Sequence, residues 1–501
     1  MADQESRLYT AEQVRRLDAC AIEGHGIPGI DLMQKAGWST FEAARKKFPA
    51  ACRYLVFCGS GNNGGDGYII ALLAREAGLD ATVCALRDPA DLKGDAGKAA
   101  ALWLEAGGTV TPWPEESLAD CDLVFDALLG TGLDREPAGD YAVAIERINQ
   151  SAKPVVAVDI PSGLHADTGV ALGRTVKADL TVTFIGNKRG LFTADGPDFA
   201  GQVVYSDLET PDSVRDSELN YGILIRDKLI ANLLPTRRRN SHKGSYGWML
   251  GVGGNTGMSG AIRLAGEAAL RAGTGKVTLA TRHDHAALVN LACPELMVRG
   301  VDDGSELEGL VEAVDVVVTG TGLGQTAWSG NVLKTCLASP LPIVIDADGL
   351  NLLARMNPES TEAPAQNWIL TPHPAEAARL LGCASRDIQS DRVEAASRLA
   401  RRYQAVTVLK GCGTVVAEPG GRYAVCPFGN PGMATAGTGD VLAGVIGALV
   451  AQGVTDLWQA AMAGVLAHAL AGDLAAAEVG VRGMLASDIS DRLPRVMNPV
   501  P

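Results

Sequence analysis

The sequence is poor in basic residues relative to acidic ones. Its 501 residues include 44 Lys plus Arg against 58 Asp plus Glu, which gives a formal net charge of −14. A surface this acidic repels polyanions unless a local basic patch overrides it. We therefore expect no nucleic-acid partner.

The sequence also lacks the cysteine spacings of metal sites. Its 10 cysteines are scattered, and the closest pair is Cys52 and Cys58. Without a C-x-x-C pair or a Cys/His cluster, the pattern indicates small buried hydrophobic residues in a reducing compartment rather than a zinc site.

The amino terminus has no apolar core typical of a signal peptide, and no run approaches the roughly 18 apolar residues of a membrane span. We expect a cytoplasmic protein with no membrane partner.

Aromatic residues are scarce, at 5%, whereas glycine is abundant, with 59 residues. Glycines suit strand-to-helix turns, where backbones approach each other or a ligand closely, so this composition favours an α/β fold. Alternating apolar patterns agree with it. The predicted strands lie near residues 54–58, 81–86, 122–126, 155–159, 180–184, 276–280, 314–319, 342–346 and 406–410. The predicted helices lie near residues 10–23, 68–76, 95–106, 139–149, 260–272, 375–381, 387–402 and 438–452.

The chain is longer than one hydrophobic core usually supports, so two domains are predicted. A polar stretch at 207–220 interrupts the alternation and places the boundary near residue 215, with residues 236–240 as the alternative. The first domain, 1–215, is predicted to be a Rossmann-like, three-layer α/β unit. The second, 221–501, is predicted to be another layered α/β unit.

A glycine-rich motif follows the first strand of the predicted Rossmann-like domain. Gly59–Gly64 matches G-x-G-x-x-G, which in dinucleotide-binding folds holds a pyrophosphate against helix amides. However, Asn62, Asn63 and Asp66 add amide oxygens and a carboxylate where a phosphate needs backbone amides. A glycine turn stabilised by Asn and Asp side chains is the simpler alternative.

Two later strand ends carry polar residues in the corresponding place. Asp126 ends one predicted strand, while Asp159 and Ser162 follow another. Ligands gather at the carboxyl ends of strands in open α/β sheets, so these loops are expected to converge, although an isolated Asp there is more often a helix cap. The oxygen-rich set of Asn63, Asp126 and Ser162 suits a hard cation, and a monovalent ion is one such candidate.

Together the segments N-N-G-G-D-G, F-D-A-L-L-G-T-G and V-D-I-P-S-G resemble the NAD(P)H-hydrate epimerase family, over roughly residues 8–210. The resemblance implies that K⁺ is held by Asn63, Asp126 and Ser162 and that Asp159 is the catalytic acid/base. A carboxylate shielded from water can have its pKa tuned to move protons while C6 of the hydrated ring inverts. The implied substrate-binding residues are Asn62, Asn63, Gly64, Gly65, Asp66, Gly130, Thr131, Gly132, Leu133, Asp134, Arg135, Glu136 and Asp159.

A second set of motifs lies in the carboxyl-terminal half. Ala436–Asp440 precedes an apolar helix, so its glycine amides and the helix dipole favour an anion, and Asp440 can accept a proton from an attacking hydroxyl. Lys410–Thr414 offers a cation, exposed amides and a hydroxyl suited to phosphate. The alternatives are a glycine turn capped by Asp440 and a tight hairpin with a solvated lysine. For His373, between two prolines, the alternative is a surface hydrogen-bonding role.

With Met258–Ala261, Gly320–Gly324 and Gly429–Thr435, these motifs resemble the ribokinase-like NAD(P)H-hydrate dehydratase family, over about residues 235–495. The resemblance implies that the hydrate's hydroxyl is phosphorylated, with Asp440 as the base and Mg²⁺ on the nucleotide, and that phosphate is then eliminated. The implied hydrate contacts are Ala261, Gly322, His373 and Asp440, and the implied nucleotide contacts are Lys410, Gly411, Cys412, Gly413, Thr414 and Gly439. Fusion of both domains in one chain resembles the arrangement that uses ADP. The sequence departs from the family pattern at Thr321, Ala436 and Phe428, where proline, glycine and threonine are usual.

Three other functions compete with this interpretation. An oxidoreductase would bind NAD at Gly59–Gly64 and show hydride transfer, which Asp66 and the kinase-like motifs disfavour. A small-molecule kinase of the hydroxymethylpyrimidine or ribokinase type would release a phosphorylated product instead of free phosphate. A non-enzymatic first domain would be inert on the R epimer. The expected partners are NAD(P)H hydrates and ADP, and we also expect a homo-oligomer.

Overall fold

The computed structural model describes residues 4–113, 118–356 and 367–498. The chain divides into two compact units, Met1–Ile223 and Leu224–Pro501. The polar stretch at 207–220 belongs to the first unit, where the Arg7 side chain donates to the Arg215 carbonyl at 3.0 Å. The units thus divide slightly after the boundary predicted near residue 215.

The first unit is built around a parallel sheet. Its strands are β1 (Arg7–Tyr9), β2 (Arg53–Cys58), β3 (Asp80–Ala85), β4 (Val110–Pro112), β5 (Leu123–Ala127), β6 (Val155–Val158), β7 (Leu180–Phe184), β8 (Asn187–Lys188), β9 (Gln202–Ser206) and β10 (Gly222–Leu224). Seven of them form a sheet in the order β4-β3-β2-β5-β6-β7-β9, in which all neighbours are parallel. Outside that sheet, β1 pairs with β10 antiparallel and with β8 parallel.

Helices cover both faces of this sheet. They are α1 (Ala11–Ala19), α2 (Gly29–Lys47), α3 (Asn62–Glu76), α4 (Gly94–Glu105), α5 (Asp140–Gln150), α6 (Gly196–Ala200) and α7 (Asp212–Asp216). Successive residues of β2 enter opposite cores: Val56 lies in one cluster, and Leu55 and Phe57 lie in the other. A strand buried on both faces is a near-continuous apolar run, which is why β2 was readable in the sequence. The predicted three-layer α/β arrangement is confirmed.

The second unit is also α/β. Its strands are β11 (Trp248–Val252), β12 (Lys276–Thr281), β13 (Met297–Gly300), β14 (Val316–Thr319), β15 (Ile343–Ile345), β16 (Trp368–Leu370), β17 (Val406–Leu409), β18 (Thr414–Ala417) and β19 (Tyr423–Cys426). They follow one another in the order β13-β12-β11-β14-β15-β16-β17-β18-β19, parallel up to β17 and antiparallel from β17 to β19. The helices are α8 (Leu229–Leu233), α9 (Ser259–Arg271), α10 (His283–Val289), α11 (Ser305–Val311), α12 (Ala327–Leu337), α13 (Ala347–Leu353), α14 (Pro374–Leu381), α15 (Ser385–Ser390), α16 (Arg392–Tyr403), α17 (Thr438–Ala451), α18 (Leu457–Val479) and α19 (Ala486–Met497).

Two helix predictions need correction. The helix predicted over 387–402 is two helices, because Asp391 adopts an extended conformation and its side chain caps α16 by accepting from the Glu394 amide. The opening helix predicted over 10–23 begins with the expected capping box of Thr10 and Gln13, but after Ala19 it widens into a π-turn over Cys20–Gly24.

The expectation that no run of the sequence approaches a membrane span in length and apolarity was wrong. Among the described residues, α18 is long and apolar enough to cross a membrane by length and composition, with a mean hydropathy of 1.5 in its most apolar 18-residue window. Of that window, 72% is buried inside the protein. A core helix of a globular domain passes the same test, and α18 packs against α17 and α19.

Candidate active sites

A cavity of about 660 Å³ opens at the carboxyl edge of the first unit's sheet. Among its lining residues are these predicted ones: Asn62, Asn63, Asp66, Gly130, Thr131, Gly132, Leu133, Asp134, Arg135 and Asp159. Of the residues that the structure describes, the predicted Gly64, Gly65 and Glu136 are not in this lining. Glu136 instead lies against the Gly173 turn. The structure thus brings together three strand ends that are far apart in sequence.

The glycine-rich motif is largely helix rather than loop. Helix α3 begins at Asn62, whereas the sequence pattern predicted a helix only from residue 68. Glycine permits this because the helix packs very closely: a Cβ at Gly64 would lie 2.1 Å from the Gly59 carbonyl oxygen, and one at Gly67 would lie 2.7 Å from the Cys58 sulfur. The close approach directs Asn62, Asn63 and Asp66 into the cavity.

Asp159 is held in an unusual backbone conformation just beyond β6. Its φ is +68°, in the left-handed region that few residues other than glycine adopt. Its amide donates to the Val182 carbonyl of β7 at 2.8 Å, which fixes the turn. Its carboxylate forms an ion pair with Lys188, whose side chain is only 1% exposed. The strained turn points the carboxylate toward the cavity.

Two more carboxyl groups share the cavity with this ion pair. Burial raises the pKa of Asp66 well above its usual value, and the charges of Asp159 and Asp18 raise it further. Burial also raises the pKa of Asp18, to about 6; Lys188 opposes this effect and Asp159 adds to it. The cavity therefore contains carboxyl groups whose protonated form is favoured by burial, beside a carboxylate paired with an ammonium group.

The predicted cation-binding residues meet beside the same cavity. Asp126 is completely buried and accepts from the Ser162 hydroxyl at 2.7 Å and from the Ser162 amide at 2.8 Å. The Ser162 hydroxyl oxygen also lies 3.2 Å from the Leu129 carbonyl oxygen. The side chain of Asn63 packs beside Gly130, and its buried amide nitrogen has no hydrogen-bond partner among the residues that the structure describes. Burial raises the pKa of Asp126 to about 6, although hydrogen bonds from Ser162 and Leu128 oppose that shift.

In the second unit, Asp440 lies in the first turn of α17. The helix begins after Gly437, whose φ of +91° allows the sharp entry, and the Thr438 hydroxyl anchors the turn to the Met433 and Thr435 carbonyls. Burial raises the pKa of Asp440 to about 7, and Asp346 adds to this effect while Lys410 opposes it. Asp440 is therefore a base poised near neutral pH, next to a helix N-terminus.

Lys410 points at this turn. The motif Lys410–Thr414 is a hairpin turn between β17 and β18, as its simpler alternative proposed, but the lysine is not solvated. Its ammonium group donates to Asp346 at 2.6 Å, and a Cβ at Gly439 would lie 3.1 Å from it. Although burial lowers the pKa of Lys410, Asp346 and Glu376 raise it overall. The predicted nucleotide residues Lys410 and Gly439 thus meet, whereas Cys412 is exposed at the tip of the turn.

Of the predicted hydrate contacts, His373 lies close enough to Lys410 to feel its charge, and Ala261 and Gly322 contact each other. His373 caps α14: its Nδ1 accepts from the Ala375 amide at 3.1 Å. Burial lowers the pKa of His373, and the positive charge of Lys410 lowers it further, so the ring is neutral at pH 7. Ala261 and Gly322 touch, since a Cβ at Gly322 would lie 2.9 Å from that of Ala261.

Arg392 supports the Lys410–Thr414 hairpin turn through hydrogen bonds. Its side chain is buried and donates to the Leu409 carbonyl at 3.1 Å and the Lys410 carbonyl at 3.2 Å. Gly411 passes so close that a Cβ there would lie 2.8 Å from the guanidinium group. Burial lowers the pKa of Arg392 to about 10.

We expect Arg392→Lys to raise the KM for the nucleotide about tenfold and to leave the KM for the other substrate unchanged. The planar guanidinium donates to both carbonyls through Nη2 and to the Gln389 side chain through Nη1. An ammonium group cannot reproduce this planar arrangement of donors, so the hairpin loses its support. Steady-state kinetics with each substrate varied in turn measures this split. Arg401→Lys, on the exposed side of the same helix, is the control. Equal changes in both KM values would contradict a role confined to the hairpin.

The sequence patterns missed four residues of these sites. Asp346 directly follows β15, and Asp126 is the last but one residue of β5, so the strand-end pattern contained the signal for Asp346 too. Lys188, Asp18 and Arg392 carried no comparable signal, because each comes from a segment outside the glycine motifs and reaches its site only through packing.

Comparison with known proteins agrees with this division. Residues 29–190 match the family described as YjeF-related protein N-terminus, and residues 249–495 match the NAD(P)H-hydrate dehydratase family. The bifunctional NAD(P)H-hydrate repair enzyme Nnr of Coxiella burnetii is 45% identical over 494 residues, covering 98% of this chain and 99% of that protein. The corresponding Escherichia coli enzyme is 43% identical over 496 residues, covering 98% and 94%. A solved ribokinase-like superfamily protein from Enterococcus faecalis covers 55% of this chain and 94% of its own, with 30% identity and a TM-score of 0.50.

The fold and its two carboxylate-centred sites define a two-unit α/β enzyme in which a Rossmann-like unit precedes a ribokinase-like one. The near full-length similarity is more specific. This chain belongs to the family of bifunctional NAD(P)H-hydrate repair enzymes.

Proposed function

We propose that this protein repairs hydrated nicotinamide cofactors. The first unit interconverts the R and S epimers of NAD(P)H hydrate, and the second converts the S epimer to NAD(P)H at the expense of ADP, releasing AMP and phosphate. The observation that carries the proposal is the presence of two separate carboxylate-and-lysine sites, Asp159 with Lys188 and Asp440 with Lys410, one in each compact unit. Names of relatives that are similar over the full length support it.

In the first unit, epimerisation requires that the C6 hydroxyl leave one face of the ring and return on the other. Asp66 lines the cavity and burial favours its protonated form, so it would donate a proton to the departing hydroxyl; water then leaves and the ring nitrogen stabilises the cation. Asp159 then accepts a proton from the water that adds to the opposite face. Lys188 is a positioning residue that holds Asp159 in its strained turn.

In the second unit, Asp440 accepts the proton of the C6 hydroxyl as its oxygen attacks the terminal phosphorus of ADP. Lys410 and the amides at the start of α17 stabilise the negative charge that develops on the transferred phosphoryl group. The C6 phosphate is a better leaving group than hydroxide, and its loss together with a C5 proton restores the ring double bond.

The side chains that the structure describes also indicate how Mg²⁺ would be bound. Among the residues that the structure describes, no group of three or more His, Cys, Asp or Glu side chains could hold a metal ion. We therefore propose that Mg²⁺ arrives on the phosphate oxygens of the nucleotide, where it would neutralise their charge. No dedicated protein cage is required.

K⁺ fits the oxygen cluster of the first unit. The Asp126 carboxylate is completely buried, and within the described part of the chain no basic side chain forms an ion pair with it. Its oxygens, the Ser162 hydroxyl and the Leu129 carbonyl offer hard ligands, and the side-chain oxygen of Asn63, which packs beside Gly130, would be a further one. We propose that these residues hold a monovalent cation, which would fix the loop that carries Gly130.

We expect both epimerase activity and thermal stability to fall when K⁺ is replaced by tetramethylammonium, because a ligand that binds only the folded state stabilises it. Asp126→Asn should abolish this difference between the two cations. Asp122→Asn changes a half-buried carboxylate just before the same strand, which pairs with Arg53 instead of lying in the oxygen cluster, and should retain the difference. Calorimetry and epimer analysis in both salts measure the effects. If wild type is indifferent to K⁺, the proposed ion is refuted.

The whole proposal is tested by incubating the protein with mixed epimers and ADP and following absorbance of the dihydronicotinamide together with release of phosphate. Full recovery of NAD(P)H with one phosphate per hydrate is expected. Release of a stable phosphorylated product would instead favour a small-molecule kinase, which the ribokinase-like unit makes the second candidate.

We further propose that each activity resides in its own compact unit and that the protein is cytoplasmic and homo-oligomeric. The ten free cysteines are compatible with a reducing compartment.

A further inference from the structure

A second cavity, of about 500 Å³, lies in the ribokinase-like unit. Five residues line it: Gln325, Asn351, Ala354, Arg355 and Arg379. Among the lining residues that the structure describes, the charged side chains are the two arginines, and both are exposed. The two neighbouring positive charges contrast with the net charge of −14 of the whole protein.

Both guanidinium groups are anchored but not neutralised. Arg355 donates to the side-chain oxygen of Gln325, and Arg379 donates to that of Asn351 at 2.9 Å. Among the residues that the structure describes, neither arginine forms an ion pair with a carboxylate. A guanidinium has five N–H donors, so each retains donors for an anion, and its planar fork matches phosphate oxygens.

The cavity lies beside two segments that carry predicted hydrate contacts, the Gly320–Gly324 loop with Gly322 and helix α14 with its cap His373. Gln325 follows Gly324, whose amide donates to Asp348 at 2.8 Å, and the Gln325 side chain donates to the same carboxylate at 3.3 Å. The negative charge of Asp348 contributes to the raised pKa of Asp440. Arg379 lies on α14, the helix that His373 caps. The positive charge of Arg379 helps to lower the pKa of His373.

The geometry points to a phosphate subsite: Arg355 and Arg379 bind a phosphate group in the adenylate half of the dinucleotide hydrate while its nicotinamide ring lies at Asp440. This inference rests on the proposed function and extends it to substrate recognition. The phosphates of ADP are assigned to Lys410 and Gly439, so a separate pair of cations is available for the phosphates of the other substrate. Remote binding of this kind lowers KM without taking part in the chemistry.

The test compares three substrates on Arg355→Gln, Arg379→Gln and the double variant. These are the hydrates of NADH and NADPH and the hydrate of reduced nicotinamide mononucleotide, which has no adenylate half. We expect the KM for the dinucleotide hydrates to rise about tenfold or more, because charge-assisted hydrogen bonds are lost. The KM for the mononucleotide hydrate and for ADP should not change. A larger effect with the NADPH hydrate would assign the subsite to the 2′-phosphate, and equal effects would assign it to the pyrophosphate.

Arg386→Gln, which removes an arginine that is 90% exposed on the neighbouring α15, is the control for net charge. An unchanged KM for both dinucleotide hydrates, or an equal rise for the mononucleotide hydrate, would overturn the inference. Altered inhibition of the variants by inorganic phosphate alone would also overturn the inference, because the two arginines would then bind the free anion rather than the substrate.

The outcome remains separable from failure of the proposed function. If wild type turns over none of the hydrates, the proposed function fails. Fluorescence titration of NADPH and of reduced nicotinamide mononucleotide against the same variants then decides the subsite. Weaker binding of NADPH alone would support it, and unchanged binding would refute it.

Discussion

Asp440→Asn is expected to reduce dehydration by about 10²–10⁴-fold, because it removes the positioned proton acceptor and preserves the side chain's shape. Epimerisation should continue at the wild-type rate. The measurement is dihydronicotinamide formation from the S epimer with ADP, alongside separate analysis of the epimer ratio. Dehydration by this variant at the wild-type rate would exclude Asp440 as the base.

The pH dependence gives an independent check. Because burial and then Asp346 raise the pKa of Asp440 to about 7, the wild-type dehydration rate should rise as the pH passes through 7 and level off above it. A raised carboxyl pKa also means that stability is lost as pH rises, from the usual range of an aspartate up to the folded-state value near 7. The Asn variant should therefore melt at a higher temperature than wild type at pH 8, and the difference should vanish in acid. If the variant melts lower at pH 8, this electrostatic account is incorrect.

Asp159→Asn should show the converse defect. We expect epimerisation of the R hydrate to slow by about 10²–10⁴-fold while the S hydrate is still dehydrated normally, since the carboxylate that accepts the proton is lost. Asparagine tolerates the left-handed φ of this position, and its side-chain oxygen can still accept from Lys188, so the fold should survive. Epimer-resolved chromatography of the R hydrate measures the effect. Repair of the R hydrate at the full rate would show that Asp159 is not the acid/base.

The two variants also control for each other. A mixture of full-length Asp159→Asn and Asp440→Asn proteins should repair both epimers, because one supplies the S hydrate and the other consumes it. Each protein alone should stall at a different point. If the mixture repairs no more hydrate than Asp159→Asn alone, the two sites do not act independently through free hydrate.

The predicted sites differ in how much of each the sequence could reveal. Strand-end carboxylates such as Asp126 and Asp159 were readable because parallel strands place their carboxyl ends at one edge of a sheet. The start of α3 was not readable, since glycines usually weaken a helix and only their close packing against β2 and β5 explains why Asn62–Gly67 is helical. Likewise, the break at Asp391 depends on a single side-chain cap that interrupts an otherwise continuous apolar periodicity.

The sequence by itself determined the two α/β units, the resemblance to a known family and the catalytic candidates Asp159 and Asp440, because local patterns of burial and glycine spacing are written along the chain. Only the tertiary structure decided the partners of those carboxylates. Lys188 lies 29 residues beyond Asp159, and Asp346 lies 64 residues before Lys410. Electrostatic interactions depend on distance in space and on burial, neither of which a linear pattern records, so the ion pairs and pKa shifts that allow these groups to act appear only once the chain has folded.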